Sequence, residues 1–211
     1  MKQAAVIVAH PDDEALWAGG HILSHPEYRW TILALTRKSD PDRAPRFFRA
    51  LEYFHAQGDL GDLDDDPGQK PLAVGDVRQT ILSLLNPDEY TLILTHGPQG
   101  EYTRHRRHEE TSRAVSALWK AGLISAERLW MFAYQDGGGR SFPAAIKSAH
   151  FRQTLSSEIW HKKYRIITRV YGFSPHSWEA QVTPRVEAFW CFDSPAELGG
   201  WWPASSQLSG E

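Results

Sequence analysis

Short, continuous runs of apolar residues alternate with segments of helical periodicity, and this alternation is what most constrains the fold. Four such runs are predicted strands: Ala4 to Ala9, Trp30 to Leu35, Tyr90 to Thr95 and Leu129 to Tyr134. Strands that are apolar at every position are typical of parallel sheets buried on both faces. The pattern predicts an α/β, Rossmann-like fold, a mostly parallel sheet with helices on both faces.

The segments between these runs predict the helices, because their apolar residues recur at helical spacing. The predicted helices are Glu14 to Ser24, Arg46 to Gln57, Val77 to Leu85, His108 to Ala121 and Leu155 to Val170, and a late strand is predicted at Glu187 to Phe192. We expect a loop over Asp59 to Gly75, which is acidic and rich in Gly and Pro, and an irregular tail from Ser194. We interpret residues 1–211 as one domain, with a catalytic core over 1–135 and a C-terminal extension over 136–211 packed on it.

Charge and cysteine content narrow the classes of partner and compartment. The chain has 23 Lys and Arg against 26 Asp and Glu, a net charge of −3, so no basic excess is present to neutralise nucleic-acid phosphates. The single cysteine, Cys191, cannot form an intrachain disulfide. The apolar run Ala4 to Ala9 is too short for a signal peptide or a membrane span. We expect a cytoplasmic protein with a small-molecule substrate; a homo-oligomer is compatible with the sequence.

Two polar clusters follow predicted strands and carry the candidate chemistry. His10, Asp12 and Asp13 come directly after the first run, and His105 and His108 follow the third. Ligands bind outside the carboxyl ends of strands in open α/β sheets, so the clusters can converge there. Histidine and aspartate are ligands that catalytic zinc prefers. The alternative for the first cluster is a polar turn capped by Asp12 or Asp13.

The sequence Ala-His-Pro-Asp-Asp-Glu at residues 9–14 resembles the signature of the PIG-L/LmbE-like family of zinc-dependent N-acetylglucosaminyl deacetylases. The later stretch Thr-His-Gly-Pro, Gly-Glu-Tyr and His-x-x-His, residues 95–108, resembles the family's second motif. The resemblance covers about residues 4–135. It implies one Zn²⁺ per chain, held by His10, Asp13 and His108, although iron(II), cobalt or nickel would also suit two histidines and a carboxylate.

The resemblance also implies roles for the neighbouring residues. Asp12 matches the general base that activates water, and His105 matches the protonated histidine that stabilises the oxyanion or the leaving amine. Weaker matches concern the substrate. Arg46 aligns with a substrate-contacting arginine and Asp64 with a sugar-hydroxyl acceptor, whose register is shared with Asp62, Asp65 and Asp66. Tyr102 is a candidate oxyanion donor or pocket wall, and His96 is a candidate for shaping the pocket.

The second motif departs from the family pattern Tyr-Gly-His-Pro-Asp-His. It is one residue longer here, and Arg106 and Arg107 stand where Pro-Asp is usual. The missing aspartate would have oriented a histidine, and Glu109 or Glu110 are its candidate replacements. The arginines, including Arg104, either form a solvated helix start or favour an anionic substrate.

The leading hypothesis is a zinc-dependent hydrolase that removes an acyl group, in the first instance acetyl, from an N-acyl amino sugar or sugar conjugate. One alternative is a zinc amidase for a non-sugar N-acyl conjugate. Others are a metal-binding or sugar-binding module without catalysis, and a structural domain without metal. Every residue that the resemblance assigns to catalysis is present, which favours an enzyme, and zinc content separates the metal-containing readings from the structural one.

Overall fold

A seven-stranded sheet and two short strand pairs organise this computed structural model, which describes residues 2–102 and 105–202. The strands are β1 (Lys2–Val8), β2 (Tyr28–Thr36), β3 (Gln57–Leu63), β4 (Glu89–Tyr90), β5 (Leu92–Thr95), β6 (Ser125–Ala126), β7 (Leu129–Phe132), β8 (Tyr134–Gln135), β9 (Ala144–Ala145), β10 (Phe151–Thr154) and β11 (Val186–Phe192). The main sheet has the order β10-β11-β7-β5-β1-β2-β3. Neighbours from β7 to β3 are parallel, whereas β11 and β10 are antiparallel additions at one edge. The predicted α/β fold with a mostly parallel sheet is confirmed.

Helices cover both faces of this sheet. They are α1 (Asp13–Ser24), α2 (Arg43–Phe54), α3 (Val74–Leu84), α4 (Arg106–Lys120), α5 (Ser157–Arg165), α6 (Trp178–Val182) and α7 (Pro195–Trp201), and α5 continues into a π-helical turn, Ile166–Val170. Side chains alternate along β1, so Val6 and Val8 pack in one apolar core with α1 and α2. Ala5 and Ile7 belong to a second core with α3 and α4. This double burial is why the strand is apolar at every position.

The predicted loop over Asp59 to Gly75 is wrong at both ends, because β3 and α3 extend into it. Glycine explains the strand: a side chain at Gly58 would lie 2.0 Å from the carbonyl oxygen of Ile32, and one at Gly61 would lie 2.5 Å from that of Leu35. Only glycine permits the backbone to approach β2 this closely. The acidic residues of this strand, Asp59 and Asp62, lie on an edge of the sheet, where polar side chains are tolerated.

The predicted irregular tail from Ser194 is wrong over Pro195–Trp201, which form α7, and residues 203–211 of that tail lie outside the described residues. Ser194 accepts a hydrogen bond from the backbone N–H of Glu197, and the Glu197 carboxylate accepts one from the N–H of Asp193. This is a helix-capping arrangement with proline in the first turn, and its Ser-Pro-x-Glu pattern is visible in the sequence.

Adjacent strands bring the two polar clusters together. β1 and β5 are hydrogen-bonded neighbours, with Ile7 paired to Thr95, so the residues that follow them leave the same edge of the sheet side by side. The backbone N–H of Ala9 donates to Nε2 of His96 at 3.0 Å, which ties the two strand ends together. Within residues 2–102 and 105–202, every helix is too short or too polar to span a bilayer.

Candidate metal centre

The turn between β1 and α1 holds an unusual backbone conformation at Asp12. Its φ of 117° lies in the left-handed region, which a residue with a side chain rarely adopts. The backbone N–H of Asp12 donates to Oε2 of Glu14 at 3.0 Å, and the hydroxyl of Tyr171 donates to Oε1 of the same carboxyl at 2.5 Å. Burial raises the pKa of Glu14 to about 8. A buried side chain from the C-terminal part of the chain therefore braces the strained turn.

Three donor atoms meet beside this turn. Nδ1 of His10 lies 3.0 Å from Oδ2 of Asp13, and Nε2 of His108 lies 3.3 Å from each of these two atoms. A tetrahedral metal about 2.0–2.2 Å from each ligand would space its ligand atoms roughly 3.2–3.6 Å apart. The three donors thus stand close to the spacing that one triangular face of a zinc site requires, and a tetrahedral ion would keep its fourth position for another ligand.

Hydrogen bonds to other residues orient each of the three donors. Nδ1 of His108 lies 2.6 Å from Oε2 of Glu101, so the proton on Nδ1 leaves a lone pair on Nε2. Nε2 of His10 lies 3.2 Å from Oδ1 of Asp65, which leaves Nδ1 as its donor atom. The indole N–H of Trp17 donates to Oδ1 of Asp13 at 3.1 Å. Such outer contacts set the tautomer and the direction of metal ligands.

Glu101 occupies the role for which Glu109 and Glu110 were the expected candidates. Its Oε2 also lies 2.8 Å from Nδ1 of His96 and is fully buried with it. Glu109 instead pairs with Arg113, and Glu110 pairs with Arg107. The expectation is wrong because Glu109 and Glu110 lie on α4 itself, whereas the carboxylate that reaches His108 comes from the loop before the helix.

The surroundings of the adjacent Asp12 and Asp13 shift the pKa values of their carboxyl groups in opposite directions. Although burial raises the pKa of Asp13, His108 and His96 hold it well below its usual range. Burial raises the pKa of Asp12 to about 7, Asp13 adds to the rise and Arg43 opposes it. Neighbouring carboxyl groups with separated pKa values are typical of sites in which one is a permanent anion and the other exchanges protons.

His105 stacks on His108, with ring centroids 4.2 Å apart, and meets His10 edge-on at 4.7 Å. Its buried Nδ1 has no hydrogen-bond partner among the described residues. Burial and the nearby His108 and His10 lower the pKa of His105 to about 3. The structure therefore favours a neutral imidazole, whereas the family resemblance implies a protonated one.

A cavity of about 380 Å³ opens over these groups. Its polar and aromatic lining is His10, Asp12, Asp13, Arg37, Arg43, Asp65, Gln69, Tyr102, His105, Trp178 and Glu179. A larger groove of about 940 Å³ lies between α3, α4 and α7 and contains none of the candidate ligands. The smaller cavity is the candidate active site, because His10, Asp12 and Asp13 line it and His108 contacts His10 from behind.

Of the four predicted substrate residues, one lines the cavity and three do not. Tyr102 lines the cavity, whereas His96 is fully buried behind it. Arg46 is engaged by Asp42 and the carbonyl oxygen of Tyr171, outside the cavity lining. Asp64 pairs with Arg107, also outside the cavity lining.

Arg43 and Asp65 line the cavity in place of Arg46 and Asp64, the residues that were expected there. Arg43, one helical turn before Arg46, donates to Oδ2 of Asp12 at 2.6 Å. Asp65, within the register left open by the sequence, contacts His10 and Arg37. The structure therefore brings Arg43 and Asp65 to the cavity.

The two described arginines of the lengthened motif, Arg106 and Arg107, do not form a cationic mouth. Arg107 is buried, donating to Glu110 at 2.7 Å and to the carbonyl oxygen of Asp64 at 2.7 Å. Arg106 lines the larger groove, and Arg104 lies outside the described residues. Neither described arginine therefore supports the anionic-substrate reading.

The similarity of this chain to known proteins is clear in the fold and low in the sequence. No protein-family profile matches the chain. An uncharacterized protein, L374, of Acanthamoeba polyphaga mimivirus is 21% identical in an alignment of 187 positions that covers 81% of this chain and 76% of that protein.

Solved structures match over most of their length. N,N'-diacetylchitobiose deacetylase from Pyrococcus horikoshii is 14% identical with a TM-score of 0.71, covering 98% of this chain and 89% of that one. The zinc-inhibited form of teicoplanin deacetylase Orf2 is 15% identical with a TM-score of 0.65, covering 92% and 99%. GalB, the 4-carboxy-2-hydroxymuconate hydratase of Pseudomonas putida, is 18% identical with a TM-score of 0.60, covering 85% and 82%. The chain therefore has the fold of the PIG-L/LmbE-type deacetylases that its two motifs resemble.

Proposed function

We propose that this chain is a metal-dependent hydrolase that removes an acyl group, acetyl in the first instance, from the amide of an N-acyl amino sugar or sugar conjugate. One zinc ion per chain would be held by His10, Asp13 and His108. The observation that carries the proposal is the triangle of donor atoms formed by Nδ1 of His10, Oδ2 of Asp13 and Nε2 of His108, which lie 3.0–3.3 Å apart. The carboxylate of Asp12 lies in the same cavity.

When bound, zinc would polarise the amide carbonyl and lower the pKa of water, so that a nucleophile is available near neutral pH. Two observations support Asp12 as the residue that carries out the proton transfers. It lies in the cavity next to the triangle, and Arg43 holds one of its oxygens. We assign it to accept a proton from the attacking water and to return that proton to the amide nitrogen as the C–N bond breaks.

His105 is the second group with a chemical role. A neutral imidazole can donate a hydrogen bond to the oxygen that gains negative charge when water adds to the carbonyl. Its position between His10, His108 and Tyr102 in the cavity wall supports this role. Proton return to the leaving nitrogen is then left to Asp12.

The neighbours named as deacetylases support the amide-hydrolase proposal over the alternatives. The hydratase neighbour raises a second chemistry, water addition to a carboxylated substrate. In this chain Arg37 and Arg43, the described basic side chains of the cavity, are already paired with Asp65 and Asp12, which disfavours a multiply charged anion. A catalytically silent module is disfavoured because Asp12 and the three donors are all in place.

Acetate release from a panel of N-acetyl sugars and non-sugar N-acetyl amides tests the proposal. Protein stripped with chelator, reloaded with zinc, or reloaded with cobalt or nickel should be compared, with zinc-loaded Asp12→Asn as the control for chemistry without loss of metal. We expect equimolar acetate and amine only from the reloaded wild-type protein. Absence of acetate from every amide, or release that survives metal removal, would contradict the proposal.

A further inference from the structure

Two residues of α6, far along the chain from both motifs, form part of the cavity wall. Trp178 and Glu179 begin this helix, whose cap Ser177 accepts the backbone N–H of Ala180 at 3.3 Å. The indole of Trp178 meets the ring of Tyr102 edge-on, with centroids 4.8 Å apart. Tyr102 in turn lies 5.5 Å from the ring of His108. Trp178 is therefore separated from a candidate metal ligand by a single aromatic ring.

Both side chains keep hydrogen-bonding capacity that no described residue uses. Each is half-buried and lines the cavity. In the described part of the chain, neither the indole N–H of Trp178 nor the carboxylate of Glu179 has a hydrogen-bond or ion-pair partner. Glu179 is close enough to Asp12 for the two carboxylates to repel each other. The cavity wall thus presents an apolar ring next to an acceptor.

The charges of the cavity restrict what this wall can receive. Arg43 pairs with Asp12 at 2.6 Å, and Arg37 pairs with Asp65 at 2.6 Å. Among the described lining residues no arginine or lysine is left to balance an anion beside Glu179, whose negative charge would repel one. An uncharged ligand with hydroxyl donors suits the acceptor, and its C–H face suits the aromatic ring.

We propose that Trp178 and Glu179 form the recognition wall for an uncharged pyranose ring with free hydroxyl groups, Glu179 accepting a hydroxyl hydrogen bond and Trp178 covering one ring face. This inference rests on the proposed deacetylase function and specifies its substrate class. It places sugar specificity in the C-terminal part of the chain, outside the segment that carries both motifs.

A matched pair of substrates isolates the two contributions. N-acetylglucosamine and N-cyclohexylacetamide share a six-membered ring and the acetamide, but only the sugar carries hydroxyls. We expect Glu179→Gln to lower kcat/KM for the sugar roughly tenfold or more, with less than a twofold change for the cyclohexyl amide. Trp178→Ala should lower kcat/KM for both rings, and Trp178→Phe should restore most of it. Glu158→Gln and Tyr53→Ala, exposed positions outside the cavity, should change neither.

A charged analogue tests the exclusion of anions. N-acetylglucosamine 6-phosphate should be a poorer substrate than N-acetylglucosamine, and Glu179→Gln should narrow the difference between them. Equal losses on the sugar and the cyclohexyl amide in Glu179→Gln, or no loss on either, would overturn the assignment of Glu179. A wild-type preference for the phosphorylated sugar would overturn the uncharged class.

Binding to zinc-loaded Asp12→Asn, measured by calorimetry with N-acetylglucosamine, separates this inference from the proposed function. If Glu179→Gln and Trp178→Ala weaken this binding while the wild-type protein releases no acetate from any amide, the hydrolase proposal fails and the recognition wall stands. If the wild-type protein releases acetate while neither substitution alters binding or kcat/KM, the recognition wall fails and the hydrolase stands.

Discussion

Oε2 of Glu101 lies 2.6 Å from Nδ1 of His108, and both side chains are fully buried. This contact directs Nε2 of His108 toward His10 and Asp13. Glu101→Gln keeps the size of the side chain but removes the charge. The single oxygen of glutamine cannot both face the two histidines, as Oε2 of Glu101 does, and accept the backbone N–H of Gly97, as Oε1 does. We expect zinc affinity to fall about 10–100-fold.

Competition with a chromophoric chelator measures the zinc affinity of Glu101→Gln. The exposed Glu52→Gln is the matched control, and a far-UV spectrum shows whether the variant is folded. Unchanged affinity in folded Glu101→Gln would show that the contact does not orient the ligand.

Tyr171 braces the strained turn at Asp12 through Glu14. Tyr171→Phe leaves the buried carboxyl with one partner fewer, so we expect a loss of about 1–3 kcal/mol in the free energy of unfolding. We also expect kcat to fall while zinc content stays at one per chain, because Asp12 moves and the ligands do not. Denaturant titration, kinetics and metal analysis together check this, with Tyr53→Phe as control; wild-type kcat in Tyr171→Phe would refute the bracing role.

Arg43 stabilises the ionised form of Asp12. If Asp12 is the general base, kcat/KM rises with pH as Asp12 loses its proton. Arg43→Gln removes the cation and raises the pKa of Asp12, so the acid limb of the profile should move to higher pH by roughly one unit or more. A bound metal lowers this pKa in both proteins, so the difference between their profiles reports Arg43.

The control for Arg43→Gln is Arg49→Gln, an exposed position on the same helix. Its acid limb should coincide with that of the wild-type protein. Superimposable limbs for Arg43→Gln and the wild-type protein would mean that a group other than Asp12 governs the acid side.

Lys163 and Glu187 form a buried ion pair at 2.6 Å that links α5 to β11. Glu187 also accepts the backbone N–H groups of Gly20 and His21 at 2.7 and 2.6 Å, so it joins both elements to α1. Lys163→Met leaves the carboxylate buried without its cation, and we expect a loss of about 3–5 kcal/mol in unfolding free energy. Lys162→Met, whose partner Glu158 is exposed, should change stability little. Equal effects of the two substitutions would contradict the buried-pair account.

The central strands and the convergence of the two polar clusters could be predicted from the sequence for the same physical reason, whereas the choice of His10, Asp13 and His108 came from the family resemblance. Strands buried on both faces must be apolar throughout, and the polar residues that interrupt them mark the edge of the sheet. Because β1 and β5 are neighbours, His10 and Asp13 meet His108 there. The strand β3 was not predicted because it contains glycines and aspartates instead of a run of apolar residues. It lies at the edge of the sheet, and its glycines let its backbone pack closely against the backbone of β2.

Some contacts of the site arise only when the chain folds, so local sequence patterns could not predict them. Glu101 lies within the second motif, but only the folded loop shows that its carboxylate, rather than that of Glu109 or Glu110, reaches His108. Trp178 and Glu179 begin the five-residue helix α6. Its sequence indicates a capped turn, but it does not indicate that these two residues line the cavity. Arg46 was expected from the family resemblance, but α2 begins at Arg43, and this first residue of the helix is the arginine that reaches Asp12.

X-ray absorption at the zinc edge, on protein reloaded with one equivalent of zinc, tests the central claim most directly. The account predicts one tightly bound zinc per chain with only nitrogen and oxygen ligands at about 2.0–2.2 Å, including two imidazoles. Binding should be lost in His108→Ala and retained in Cys191→Ser. A sulfur ligand at about 2.3 Å, or stoichiometric zinc in His108→Ala with an unchanged spectrum, would contradict the assignment of His10, Asp13 and His108 as the metal centre.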